Sequence, residues 1–283
     1  MGKIKELNPD EFRKMQLIEL DMLVEFDRVC RKYDIGYVIV GGSLLGAVRH
    51  KGFIPWDDDA DIAMLRQEYE RFKSHIGDLN PDICFFQDHE IDPEYRWGYG
   101  KLRRTGTKYV RVGQEHLKCK NGIFVDVFPM DDVPKSTIGQ MLQDFHCFVL
   151  RKILWSEVGK YTCNGLLKYW YSMLSIIPTS FVYKQLQSYV KKSSNESSNK
   201  VRTLLFPAAG KLYFKSKKIA DRYAMPKKWF LERSEYEFEG KKLYGTKDYD
   251  GILKHFYRDY MKLPPENKRE QHSPCVEIEF PNE

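Results

Sequence analysis

Apolar residues recur at helical spacing between positions 17 and 26, where Leu17, Leu20, Leu23, Val24 and Phe26 predict the buried face of a first helix. Asn8-Pro9-Asp10-Glu11 marks its start, with Asn8 as cap, Pro9 in the first turn and the acids near the positive dipole end, and it should run to about Tyr33. The period then shortens. Tyr37-Val38-Ile39-Val40 reads as a short β-branched strand ending in Gly41-Gly42-Ser43, with Ser43 placed to cap a helix over LLGAVRHKG that Gly52 stops. Residues 60–65 predict a second strand and 67–76 a second helix, followed by a strand at ICFFQ. Residues 97–112 alternate apolar or aromatic with basic positions and read as strand–turn–strand. IFVDVF (123–128) is the most strand-like stretch of all.

Beyond Asp132 the pattern changes. Residues 137–190 read as helical and include LLKYWYSMLSIIP, 191–200 as a polar loop, and 248–263 as a last helix stopped by Pro264-Pro265. Strands interleaved with helices in the first half, followed by helices, give an α+β chain: a mixed sheet flanked by helices with a largely helical middle and C-terminal region. Three parts are expected: a core at 1–132, a helical insertion at 133–245 facing the acceptor or a membrane, and a C-terminal helical segment at 246–283 packing back on the core. Tyr169, Trp170 and Tyr171 pack in the core on the first reading and would suit an interfacial helix on the second; Lys168 and Pro178 argue against a spanning one.

Composition narrows the classes. At 283 residues, 42% hydrophobic and 14% aromatic, the chain is globular rather than disordered. A formal charge of +6 suits an anionic substrate or an acidic membrane surface but lacks the dense basic stripe of a nucleic-acid binder. Six scattered cysteines without a C-x-x-C pair point to a reducing compartment, and the charged N-terminus has no signal-peptide core, so a cytoplasmic location, at the inner face of a membrane if one is engaged, is expected.

The stretch IPWDDDADIAML concentrates Asp57, Asp58, Asp59 and Asp61 at the edge of an apolar strand. A solvated acidic loop is the plain alternative, and the adjacent buried run argues against it. Asp57, Asp59, Asp61 and Glu68 also fit positions 1, 3, 5 and 12 of a calcium loop, but position 6 is Ile62 where that loop needs glycine. Strand alternation puts Asp59 and Asp61 on one face, joined by Asp57, with Asp58 pointing away as a bystander. Carboxylates converging on a point are costly without a cation, so these three are candidate metal ligands for phosphate chemistry. Asp126, midway along IFVDVF on the face of Phe124 and Phe128, is the fourth.

Gly41, Gly42 and Ser43 offer a phosphate cradle at a helix start, although such turns are commonly structural. Arg49, His50 and Lys51 at that helix's end, and Lys101, Arg103 and Arg104 near the KLRRTGT turn, are candidate phosphate contacts beside plainer capping and surface uses.

Together GGSLLGAVRHKGFIPWDDDADIAM, GIFVDVFPMD and YRDYMKLPPENKR resemble the LicD family, cholinephosphotransferases of cell-surface glycans with fukutin-related proteins as distant relatives. The resemblance covers residues 10–132 and about 245–272. It implies a nucleotidyltransferase-like fold in which Gly42 and Ser43 fall on the phosphate turn, Asp59 and Asp61 on the metal pair and Asp126 on the third carboxylate. It also implies Mg²⁺, as one or two ions with Mn²⁺ as a substitute, a CDP-alcohol donor such as CDP-choline, and a glycan acceptor, lipid-linked in lipopolysaccharide or teichoic acid synthesis. A choline group would need an aromatic cage, for which Trp56, Tyr95, Trp97 and Tyr99 are nearest. A nucleotidyltransferase using an NTP, and a non-catalytic calcium- or glycan-binding module, are the competing readings.

Overall fold

The computed structural model describes residues 2–195, 199–206, 224–269 and 274–281. Helix α1 (Pro9–Lys32) opens with a capping box: Asn8 Oδ1 accepts from the Glu11 N–H at 2.9 Å and the Glu11 carboxylate accepts from the Asn8 N–H at 3.0 Å. Its buried face runs through Met15, Ile18, Met22, Phe26 and Val29, with Leu23 and Cys30 beside them. Leu17 is instead exposed, because that period leaves it on the opposite side.

Among the described residues nine strands form one mixed sheet. Its main path runs β3 (Cys84–Gln87), β4 (Gly100–Arg104), β6 (Phe124–Asp132), β2 (Asp61–Leu65), β1 (Val38–Ile39), β10 (Lys241–Thr246) and β9 (Arg233–Phe238). β7 (Lys200–Arg202) pairs with the far end of β6, and β8 (Met225–Pro226) pairs with β7. β2 and β6 are parallel, whereas β4 and β6 are antiparallel. Phe26 of α1 packs on Tyr37 and Phe72, with ring centroids 5.1 and 4.6 Å apart, so the helix seals one face of the sheet. β6 is buried continuously from Phe124 to Asp131.

Two stretches differ from the helical expectation. β9 and β10 form a hairpin that enters the main sheet beside β1, so residues 233–246 are core sheet rather than helix. Near the C-terminus α8 (Tyr249–Tyr257) is shorter than expected, and β11 (Cys275–Glu279) pairs with β5 (Lys108–Arg111). The strands of residues 97–112 therefore take different partners. Both hairpin and β11 are contacts between segments far apart in sequence, which local periodicity cannot display.

The remaining α-helices among the described residues are α2 (Gly41–His50), α3 (Arg66–Lys73), α4 (Thr137–Thr162), α5 (Gly165–Leu174), α6 (Thr179–Asn195) and the short α7 (Lys228–Leu231). α4 and α6 share a second core of Cys147, Leu150, Leu154, Val182 and Leu186. α6 carries the helix through Asn195, into the expected polar loop, of which residues 196–198 lie outside the described residues. All six cysteines are free thiols.

Candidate active site

Strand register assembles the site. Asp61 of β2 lies directly opposite Asp126 of β6, and Asp126 directly opposite Lys101 of β4. Partners in register project to the same face, so the three side chains form a row across three adjacent strands. Lys101 Nζ donates to Asp126 Oδ1 and lies 3.5 Å from the Phe124 ring centroid. Burial pulls the Lys101 ammonium down to about 7, against the opposing attraction of Asp126.

The acidic loop before β2 is held against the start of α2. Gly41 has φ +58°, a conformation that favours glycine, and a Cβ there would sit 2.8 Å from Asp61 Oδ2. A Cβ on Gly42 would run into Asp57 Oδ2. The two glycines thus let carboxylates approach the positive end of a helix. Ser43 is not the cap of α2, which begins at Gly41 after Val40. The Ser43 hydroxyl accepts from the Asp61 N–H at 2.8 Å and so fixes the loop to the helix. Gly42→Ala is expected to displace Asp57 and lower turnover about tenfold with little change in melting temperature, which a kinetic assay paired with a thermal melt will check.

One carboxylate oxygen from each of Asp57, Asp58 and Asp59 lies within 4.8 Å of the others, a grouping that can hold a metal ion. Asp58, expected to be a bystander, is therefore part of this cluster, although it does not line the neighbouring cavity. The charge balance fits a cation. Burial, then Asp59 and Asp58, push the Asp57 carboxyl up to about 8. Asp61 is raised by burial and by Asp59, Asp126 and Asp57, with Lys101 opposing. Beneath them Glu19 of α1 is buried, its Oε2 has no hydrogen-bond partner, and burial followed by Asp59, Asp58, Asp57 and Asp61 raises its carboxyl too. Glu19 carried no signal in sequence, because it stands among the apolar positions of an ordinary amphipathic helix.

A cavity of about 960 Å³ opens onto this row, at the large end for a ligand pocket. Asp57, Asp59, Asp61 and Asp126 all line it, as do Gly41, Gly42, Arg49 and Trp56. Arg49 Nη1 donates to the Tyr260 carbonyl at 2.9 Å, and the Arg269 guanidinium lies 4.8 Å from the Trp56 ring centroid. Five predicted residues stand elsewhere. Lys51 is exposed at the C-cap of α2. Trp97 packs between Tyr95 and Trp155. Lys101 is shut behind Asp126, and Arg103 donates to Gln87 Oε1 at 2.7 Å and the Gly122 carbonyl at 2.9 Å. Arg104, on the opposite face of β4, points to Asp21 of α1 at 3.9 Å.

The wall contains groups the sequence did not single out. Arg111 of β5 and Arg202 of β7 both line the cavity, and Arg202 donates to the buried Asp144 of α4 at 2.8 Å. Tyr99, one of the expected cage aromatics, joins Phe128 and Phe206 in an aromatic corner, with centroids 4.7, 5.8 and 5.0 Å apart. Alternation already placed Phe128 with Asp126, but Phe206 and Arg202 arrive from a distant segment.

Comparison with known proteins agrees with this geometry. Residues 34–154 match the family described as LicD/FKTN/FKRP, nucleotidyltransferase domain, a span that includes the acidic run and β6. The lipopolysaccharide cholinephosphotransferase LicD of Haemophilus influenzae is 31% identical over 275 residues, covering 92% of this chain and 95% of its own length. An uncharacterised protein of Rickettsia prowazekii is 26% identical over 148 residues, 52% of this chain and 50% of its own. With a relative matched from end to end and the acidic loop and β6 both inside the matched domain, the chain belongs to the LicD family.

Proposed function

We propose that the protein is a Mg²⁺-dependent transferase that moves phosphocholine from CDP-choline to a sugar hydroxyl of a lipopolysaccharide-type glycan and releases CMP. The observation that carries this reading is the register that sets Asp61 against Asp126 at the floor of a cavity also lined by Asp57 and Asp59. The full-length likeness to the Haemophilus enzyme supplies the substrate class.

Asp57, Asp59, Asp61 and Asp126 would hold the metal, with Asp58 adjoining. Bound there, Mg²⁺ would neutralise the donor pyrophosphate and the charge that develops on the leaving phosphate. The chain's own groups do the rest. The acceptor oxygen forms a bond to the phosphorus that carries choline, the bond from that phosphorus to the CMP oxygen breaks, and the hydroxyl proton passes to water. Lys101 holds Asp126 in orientation through its Nζ hydrogen bond without touching substrate. Arg111, Arg202 and Arg49 place positive charge in the wall where CMP would sit, the part that sequence reasoning gave to Lys101 and Arg103. Tyr99, Phe128 and Phe206 offer ring faces to a quaternary ammonium, with Trp56 across the cavity.

The test is incubation with Mg²⁺, acceptor glycan and CDP-choline, CDP-ethanolamine, CDP-glycerol or CDP-ribitol, with CMP as readout. CMP release with CDP-choline, abolished by chelation, is expected. Silence across the panel with pyrophosphate release from an NTP would move the reading to nucleotidyl transfer, which the same carboxylates could serve.

A further inference from the structure

α5 carries its apolar residues on the side that faces water. Tyr171 is its buried residue: it packs on Gly159 of α4, where a Cβ would run into the ring, and its hydroxyl accepts from Lys152 Nζ at 3.3 Å. On the opposite side, at helical spacing, stand Leu166, Tyr169, Trp170 and Met173, which are 87%, 72%, 53% and 66% exposed. Ile176 extends the strip past the helix end. α4 repeats the arrangement with Ile138, Leu142, Phe145 and Phe148 exposed opposite its buried Cys147, Leu150 and Leu154. A helix that met only water would carry polar residues at these positions, and so many exposed apolar residues on two packed helices mark a binding face. The core packing expected for Tyr169 and Trp170 does not occur.

Charge identifies the occupant. Residues 137–192 contain seven basic residues and only two acidic ones. Both acids are engaged, Asp144 with Arg202 at 2.8 Å and Glu157 with Lys160 at 2.6 Å. Arg151 and Lys152 stand on α4, Lys168 on α5 and Lys184 on α6, which packs against α4. Apolar and Trp/Tyr positions bordered by lysines, with no helix among the described residues long and apolar enough to cross a membrane, are the composition of a helix pair lying in an interface.

We propose that the outer face of α4 and α5 docks on an anionic lipid bilayer, with Leu166, Trp170, Met173 and Ile176 below the headgroups and the lysines at the phosphates. The docking face stands apart from the cavity and does not depend on the donor or acceptor assigned above. α4 nevertheless links the two, since its Asp144 holds Arg202 in the cavity wall.

The experiment is flotation of the full chain with vesicles of phosphatidylcholine alone or with one-third phosphatidylglycerol. The protein should float with the anionic vesicles, weaken in high salt and bind neutral vesicles poorly. The exposed triple variant Leu166→Ser/Trp170→Ser/Met173→Ser should keep its circular dichroism and melting temperature and lose binding about tenfold or more. Lys168→Glu/Lys184→Glu should lose the preference for anionic lipid. Failure of the wild type to float with either vesicle overturns the proposal, as does equal binding to both or a triple variant that binds as well as wild type. A wild-type dimer dissolved by the triple variant would show that a second copy covers the face, and would also overturn it.

Discussion

Asp61→Asn will lower turnover by about a thousandfold or more and at the same time raise the stability of the metal-free protein. Burial and the neighbouring Asp59, Asp126 and Asp57 all disfavour ionised Asp61, and only Lys101 opposes them. The amide keeps the side chain's shape, removes the charge, and relieves this repulsion while removing a metal ligand. A gain of about 1 kcal/mol, or about 2–4 °C in melting temperature, is expected by calorimetry in chelator. Adding Mg²⁺ should raise the wild-type melting temperature and leave the variant's unchanged, since only the former binds. Full activity in Asp61→Asn would remove Asp61 from the site. Lost activity without the stability gain would show that no repulsion is stored there.

Asp57 gives the same argument a pH signature. Its folded-state carboxyl stands at about 8, whereas an aspartate in the unfolded chain titrates near ~3.9. The folded protein therefore holds that proton more tightly. The resulting stability is fully present below about pH 4 and is lost as pH rises through about 8. Metal-free wild type should melt at a lower temperature at pH 8.5 than at pH 6, and Asp57→Asn should flatten that difference. A wild-type melting temperature independent of pH across this window would contradict the assignment.

The sequence made the carboxylates legible for a local reason. A side-chain period of two places Asp57, Asp59 and Asp61 on one face, and a lone carboxylate inside IFVDVF demands an explanation. It did not reveal that Asp126 would find Lys101, because that pairing depends on an antiparallel register between β4 and β6 rather than on spacing along the chain. Basic residues were sought as phosphate contacts wherever they lay near a turn. Lys101 and Arg103 share a face of β4, and that face is closed over by Asp126, Gln87 and Phe124. Arg49, at the end of α2, does line the cavity, but Arg111 and Arg202 beside it come from strands whose partners lie far away in sequence. Gly41 and Gly42 were recognisable as a close-approach turn, but what approaches in the structure is the protein's own carboxylates. Likewise β1 presented itself as a strand, while its parallel neighbour β10 entered from about two hundred residues on, hidden at the end of a stretch read as helical.

Lys101→Met is expected to be the most destabilising single change at the site. Methionine fills about the same volume and keeps the contact with Phe124, so packing is largely preserved and the loss is electrostatic. It leaves Asp126 buried, in register with Asp61, without its cation. Removing one partner of a buried ion pair costs about 3–5 kcal/mol, because the remaining charge is uncompensated. Urea unfolding should show that loss as a lower midpoint with an unchanged slope. The double variant Lys101→Met/Asp126→Asn should recover most of it, since both charges leave together, yet remain inactive for want of Asp126. A single-variant cost below about 1 kcal/mol, or a double variant as unstable as the sum of the singles, would mean that the pair does not act as a unit. Recovery of stability without recovery of activity separates the two duties of this row of side chains: Lys101 makes a buried Asp126 tolerable, and Asp126 is kept for chemistry that a neutral residue of the same shape cannot perform.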